Sequence, residues 1–219
     1  IHHDIPKSLE SYYQETGRAG RDGGEGLCLT FYSFKDIEKL EKFTQGKPIA
    51  EQEISKQLLL ETVSFAETSM CRRKYILHYF GEYYNEKDCN KLCDNCKNPK
   101  KHHEGKDDVE LLLETIKESK EKFKAKEIVN ILTGKMTAMI NDYNCSNLNV
   151  FAKGKHNNAA YWHAVIRQIF VSGFISKDIE SYGILKLNPK AFKFLEKPSS
   201  YMITEDHDYS NIEQQEVES

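Results

Sequence analysis

The sequence predicts a mainly α protein with small β content, built from several small domains in series. Three observations lead there. Apolar residues recur at spacings of three and four through most of the 219 residues, the period of an amphipathic helix. Alternation with period two is confined to short runs such as Gly183-Ile184-Leu185-Lys186-Leu187. Four of the six cysteines, Cys71, Cys89, Cys93 and Cys96, fall within one stretch of 26 residues, the clustering that a local metal site needs.

The elements follow in order. Ser8 can cap a short helix through Tyr12, Tyr13 and Gln14, preceded by Pro6 and stopped by Gly17. A glycine-rich loop runs to Gly24, and Gly26 to Tyr32 alternates as a strand would. Ile37, Leu40 and Phe43 share one face of a further helix. Gly46-Lys47-Pro48 breaks the pattern and marks a first domain boundary. Glu51 to Phe65 and Ser69 to Phe80 are two amphipathic helices, the second carrying Cys71 in its first turn. Beyond the cysteine loop, Lys97 to Lys106 is a polar, basic linker.

Val109 to Ile116, Lys126 to Leu132 and Asn157 to Val171 make three more helices. Phe174 to Lys177 and Gly183 to Leu187 then pair as a hairpin with Asp178 to Tyr182 at its tip. Helix, helix, helix, hairpin is the order of a winged helix, a variant of the helix-turn-helix. The expected domains are therefore 1–45, a zinc-binding helical domain at 46–104 and a winged helix at 105–197. Residues 198–219 are expected to be an acidic, disordered tail, because from Ser199 on there is little to bury.

Composition excludes some classes. With 39% hydrophobic and 30% charged residues, no apolar run approaches the ~18 residues of a membrane span. Ile1-His2-His3-Asp4 lacks an initiator Met and a signal-peptide pattern, so the chain is expected to be a piece of a longer one. The net charge of −3 conceals an asymmetry: Glu205, Asp206, Asp208, Glu213, Glu216 and Glu218 crowd the last 15 residues. Setting those six aside leaves 28 acids against 31 bases, a mildly basic body that permits nucleic-acid binding.

Six cysteines without a secretory signal argue against a disulfide framework. Cys89-x3-Cys93-x2-Cys96, with Cys71 upstream on a helix, offers four thiolates to a tetrahedral Zn2+. Replacement of Cys71 by His102 or His103 is a second possible ligand set. With four protein ligands the metal would be structural. Cys28 and Cys145 are expected to be buried small residues.

Gln14-Glu15-Thr16-Gly17-Arg18-Ala19-Gly20-Arg21-Asp22-Gly23 carries the most specific chemistry. Glycines let a backbone approach a ligand closely, and Arg18 and Arg21 present planar forks suited to phosphate oxygens. A bland reading of the same residues is a flexible surface loop. Neither Gly134-Lys135-Met136 nor Gly154-Lys155-His156 completes a phosphate-cradling G-x-x-x-x-G-K-[ST] loop. Seated beside a nucleoside triphosphate, such an arginine loop would be one part of an ATPase, inactive alone for want of that cradle.

Three stretches together resemble the RecQ family of ATP-dependent DNA helicases. They are Ile5-Pro6-Lys7-Ser8 with Tyr12 through Gly23, Cys71-Arg72-Arg73-Lys74-Tyr75-Ile76-Leu77-His78-Tyr79-Phe80-Gly81-Glu82, and Leu148 to Lys155 with Tyr161 to Ile169. The resemblance implies that residues 1–45 close a second RecA-like α/β lobe, with Arg21 as arginine finger and Arg18 and Gln14 facing the nucleotide. It favours four cysteines as the zinc ligands. It implies ATP and Mg2+ as cofactors of the parent, 3′–5′ unwinding in recombination and repair, and DNA junctions as substrate. Single-strand-binding or repair proteins are possible partners, and the monomer is the expected state. Location would be cytoplasmic and nucleoid-associated in a bacterium, or nuclear otherwise.

Lys153, Lys155 and His156 lie just ahead of the third helix, where side chains and free N–H groups can meet phosphate. Arg167 is expected further along the DNA backbone, and Tyr182, the aromatic of the hairpin turn, is a candidate strand-separating wedge. Trp162 at helical spacing is expected in the core. A zinc-containing winged-helix docking module without motor activity is the alternative; the Gln14–Gly23 loop distinguishes the two, having no use in such a module.

Overall fold

The computed structural model describes residues 1–207 except Asp22, Phe43 and Ile179. The described chain falls into two compact units, Ile1–Thr68 with His207, and Ser69–Asp206. The mainly α character is confirmed, with two small two-stranded sheets among the described residues.

In the first unit, α1 (Leu9–Thr16) begins at Ser8, whose side chain accepts a hydrogen bond from Ser11 N and supplies the missing partner of an early N–H. Helix α2 (Phe34–Lys42) and the long α3 (Ile49–Glu67) follow. Ile5, Leu59 and Val63 form a small core with Tyr32, Ile37, Leu40 and Ala66 against it. Gly46-Lys47-Pro48 does interrupt the helices, yet α3 packs with the elements before it, and the division between compact units falls after Thr68.

The strand expected over Gly26–Tyr32 does not form. Alternating residues make a strand only when a neighbouring backbone accepts the ladder. Here the pairing is one isolated bridge, His2 with Thr30, and Leu27 is 87% exposed. Cys28, expected to be buried, is exposed with it.

The second unit opens with α4 (Arg72–Tyr79) and the cysteine loop, which contains a short α5 (Asp94–Lys97). The expected linker is structured: β1 (His102–Glu104) leads into α6 (Lys106–Glu118), α7 (Ala125–Thr133), α8 (Ala138–Asp142) and α9 (Ala159–Val171). The hairpin β2 (Ile175–Asp178) and β3 (Ile184–Leu187) pairs Ile175 with Leu187 and Asp178 with Ile184. Helix α10 (Pro189–Glu196) and β4 (Met202–Thr204) complete the unit. The three-helix and hairpin order of a winged helix is present, with α8 and α10 added to it.

One core unites α6, α7, α9 and the hairpin: Leu112, Leu113, Ile116, Ile128, Ile131, Leu132, Trp162, Val165, Ile169 and Leu185 are all 0% exposed. Cys145 is buried in it, as expected.

The tail expectation is corrected. Strand β4 pairs antiparallel with β1, Ile203 opposite His103, and Ile203 is completely buried. A Cβ on Gly105 would collide with the Ile203 side chain, so glycine is what lets the two segments meet. Gln168 fastens the same strand, donating through Nε2 to Thr204 O at 2.6 Å and accepting from Thr204 N at 2.9 Å. The acidic composition after residue 204 hid three residues able to bury two side chains, Ile203 and Thr204, and pair an edge. Residues 208–219 lie outside the described chain.

Candidate metal centre and nucleic-acid interface

The four thiols expected to share a metal converge. Cys71 stands at the N-terminus of α4, Cys89 closes a 3-10 turn (Glu86–Cys89), and Cys93 caps α5 by accepting from Cys96 N at 3.4 Å. Between Cys89 and Cys93 the chain reverses through Asn90 and Lys91, both with positive φ. This is how a three-residue gap returns the next thiol to the first. The ligand atoms of Cys71, Cys89, Cys93 and Cys96 all lie within 4.8 Å of one another. Zn–S bonds of ~2.3 Å at tetrahedral angles put sulfurs about 3.8 Å apart, so this donor set fits zinc.

Electrostatics agree. Burial pushes the Cys71 thiol up to about 11 and raises Cys96 as well, while Cys89 is held low against burial by the Cys93 N–H and its neighbouring thiols. Burial thus works against a negative charge on Cys71 and Cys96, and a dication at the centre would offset that cost. His102 and His103 are engaged elsewhere, with Thr204 Oγ1 at 2.9 Å and Tyr161 OH at 3.2 Å. Two further contacts hold the loop. Arg72 meets Asp94 through Nε and Nη2 at 3.1 and 3.0 Å, and the buried Asn95 donates to Met70 O at 2.7 Å.

In the first unit the arginine loop continues α1 as a series of tight turns, Gly17 N to Tyr13 O, Ala19 N to Thr16 O and Gly23 N to Gly20 O. At Gly20, φ is +71° and a Cβ would lie 2.7 Å from Gly24 O, so only glycine fits. Gln14, Arg18 and Arg21 are all exposed, and Arg21 Nε donates to Gly17 O at 3.3 Å. Asp22 lies outside the described residues.

Lys153, Lys155 and His156 are exposed on the loop ahead of α9. That loop is fixed from below: Ala152 N donates to Ile131 O and Gly154 N to Leu132 O, both at 2.8 Å. Trp162, fully buried as expected, donates its indole N–H to Gly154 O at 2.8 Å. The two Gly-Lys pairs that fail the phosphate-loop pattern thus have structural reasons. Gly134 ends α7 with φ +70°, and Gly154 lets the loop lie against the indole.

His156 is less available than its position suggests. Its Nε2 lies 2.7 Å from Asp108 Oδ1, and Asp108 Oδ2 also accepts from Tyr161 OH at 2.5 Å and Asn157 Nδ2 at 3.3 Å. Sequence reasoning missed Asp108; an acid in the first turn of α6 looks like an ordinary helix-dipole partner. Arg167 is corrected outright. Its side chain is 12% exposed and pairs with Asp206, Nη2 to Oδ2 at 2.6 Å, so it faces the protein rather than a DNA backbone. Tyr182 sits in the hairpin turn at φ +54° and is 38% exposed.

Comparison with known proteins accords with this geometry. The RQC domain family matches residues 99–211 and the RecQ zinc-binding family matches residues 34–97. The chain is 36% identical over 184 residues to the "ATP-dependent DNA helicase RecQ" of Pasteurella multocida (strain Pm70), covering 84% of this chain and 29% of that protein. It is 37% identical over 189 residues to the protein of the same name from Haemophilus influenzae, covering 86% of this chain and 29% of the relative. It is 50% identical over 99 residues to the "ATP-dependent DNA helicase hus2/rqh1" of Schizosaccharomyces pombe, covering 44% of this chain and 8% of that protein. The chain therefore spans under a third of the length of these relatives. A cysteine cluster within the zinc-binding match and a winged-helix core within the RQC match make this chain a member of the RecQ family.

Proposed function

We propose that this chain serves an ATP-dependent 3′–5′ DNA helicase, holding the second motor lobe's arginine motif, a structural zinc site and a DNA-docking winged helix. The observation that carries the reading is the loop ahead of α9. Two exposed lysines, Lys153 and Lys155, stand on a backbone pinned by Trp162 and α7. A rigid basic loop at a helix start is suited to phosphate, and His156 would reach DNA only by leaving Asp108. At the hairpin turn, the half-exposed Tyr182 would stack on an opened base pair.

In the motor, Arg21 would reach the γ-phosphate of ATP bound with Mg2+ and stabilise charge in the transition state, with Arg18 and Gln14 beside it. Arginine fingers contribute about 10³–10⁵ in rate. Their exposure leaves them accessible to a nucleotide held by another lobe. Zinc would hold the cysteine loop folded, and Cys71, Cys89, Cys93 and Cys96 would be its ligands. Junctions of single- and double-stranded DNA would be the substrate, with the chain acting as a monomer on the nucleoid or in a nucleus.

Fluorescence anisotropy with a duplex bearing a 3′ single-stranded tail, repeated across a salt series, tests the docking role. Affinity should fall steeply with salt and fall further in Lys153→Ala/Lys155→Ala. An unchanged affinity in that variant would remove the loop from the DNA interface.

A further inference from the structure

Between α6 and α7 the sequence runs Lys117-Glu118-Ser119-Lys120-Glu121-Lys122-Phe123-Lys124-Ala125-Lys126, five lysines in ten residues. Its acids are turned to structural use. Glu118 accepts from Asn149 N at 2.7 Å and Glu121 from Leu187 N at 2.8 Å. The lysines are left outward: Lys117, Lys120, Lys122 and Lys126 are exposed or half-exposed and Lys124 is half-buried. Phe123 anchors the run, 4% exposed, its carbonyl accepting from Leu185 N at 3.0 Å.

Two aromatic rings flank this anchor. Tyr143, just past α8, meets Phe123 edge-on at 5.2 Å between centroids and is 56% exposed. Lys122 Nζ stands 6.0 Å from its ring centre. At the hairpin turn, Tyr182 has Lys124 Nζ 5.7 Å from its own ring centre. Lysines placed beside half-exposed tyrosines on a fixed backbone supply the two parts of a single-strand surface: charge for phosphates and flat faces for bases. A surface made only for solubility has no need of exposed rings, and a protein-docking patch would bury its apolar centre with fewer lysines.

We infer that the Lys117–Lys126 turn with Tyr143 forms a second nucleic-acid surface, one that binds single-stranded polynucleotide by stacking and phosphate contact. Tyr182 extends it to the hairpin turn. The inference rests on the DNA-binding reading above, but on different residues from the Lys153–Lys155 loop. Single-stranded substrate fits better than duplex, because bases can reach a tyrosine face only when unpaired.

The test measures anisotropy of the chain with oligo-dT and with a blunt duplex, across salt, in three variants. Lys122→Glu/Lys126→Glu should weaken oligo-dT binding at least tenfold and make its salt dependence shallower. Tyr143→Leu should weaken it about fivefold to tenfold with the salt slope unchanged, since a stacking contact releases no counterions. Both should keep duplex affinity and the wild-type melting temperature. Lys153→Ala/Lys155→Ala should show the converse, losing duplex affinity first. Oligo-dT binding unaffected in the first two variants overturns the inference while leaving the docking role of Lys153 and Lys155 intact. Equal loss on both DNAs also overturns it, by reducing the turn to unspecific attraction. Duplex affinity untouched by Lys153→Ala/Lys155→Ala, with oligo-dT binding lost in the Lys122 variant, would support this surface and remove the other.

Discussion

Asp206 closes on Arg167, its Oδ2 lying 2.7 Å from Nε and 2.6 Å from Nη2, with the two side chains 8% and 12% exposed. Its other oxygen, Oδ1, accepts from Ser69 N at 3.2 Å. One carboxylate thus joins the third helix of the winged helix to the residue that leads into the zinc-binding helix. A second link runs beside it, the His78 ring edge-on to Phe170 at 4.9 Å. Coupling between the zinc module and the winged helix is therefore built from a charged clasp and an aromatic contact.

Removing one partner of a buried ion pair leaves the other charge uncompensated, which costs about 3–5 kcal/mol. Asp206→Ala should lower the stability of the second unit by an amount near that range, read as a shift in the urea midpoint. Arg167→Met/Asp206→Leu should recover the share of the loss that comes from the orphaned Arg167 charge, though not the share that comes from the bond Asp206 accepts from Ser69 N. A double variant as unstable as the single one would show that the pair itself, rather than the orphaned charge, carries the stability.

The loop ahead of α9 gives the second prediction. A Cβ on Gly154 would lie 2.8 Å from Trp162 Cζ2 and 2.9 Å from Leu132 Cβ, both in the closed core. Overpacking of this kind typically costs about 1–3 kcal/mol. Gly154→Ala should therefore lower the melting temperature and weaken duplex binding together, since Lys153 and Lys155 ride on the displaced backbone. Trp162→Phe, which loses the bond to Gly154 O while Asn157 N still donates to that carbonyl at 3.2 Å, should cost about 0.5–1.5 kcal/mol for the one hydrogen bond lost. Retention of both stability and duplex affinity in Gly154→Ala would mean the loop is not held by the indole.

What the sequence shows and what it hides divide along physical lines. The helices of the second unit were legible because Leu112, Leu113 and Ile116, or Val165, Ile166 and Ile169, repeat at helical spacing and all turn inward. The cysteines were legible because three of them, Cys89, Cys93 and Cys96, lie within eight residues, the local spacing at which zinc sites often take their ligands. Strands β1 and β4 were not, since three residues such as His102-His103-Glu104 gain strand character only from a partner a hundred residues away. Arg167 was misplaced for the same reason: a lone arginine on a helix looks solvent-facing until its partner, Asp206, is brought in from beyond the hairpin.

Metal removal gives a third prediction. A structural zinc site can contribute about 10–16 kcal/mol of folding free energy in small peptides, as much as the whole net stability of a typical domain, about 5–15 kcal/mol. Cys93→Ala should yield an unstable or insoluble protein. Treatment of the wild-type chain with a strong chelator should lower its melting temperature and release zinc in a ratio near one per chain. A soluble Cys93→Ala protein with unchanged melting would exclude a structural metal at this site.

His163, on α9, provides the fourth through pH. Burial, with Arg167 and Lys177 nearby, lowers its pKa from an ordinary 6.5 to about 4. The folded chain thus holds it neutral across a window in which the unfolded chain protonates it. Between about pH 4 and 6.5 the unfolded state binds more protons, so stability must rise with pH there and level off above. A tenfold difference in proton affinity between the two states is worth about 1.4 kcal/mol. Acidification from pH 7 to 4 should therefore cost roughly 2–4 kcal/mol through this residue. Urea titrations of the wild type and of His163→Gln at pH 7, 5.5 and 4.5 test it. The variant should lose part of the slope in that window while the carboxylates still contribute theirs. Parallel curves for the two proteins would mean that His163 is reached by water in the folded state and titrates there as it does in the unfolded chain.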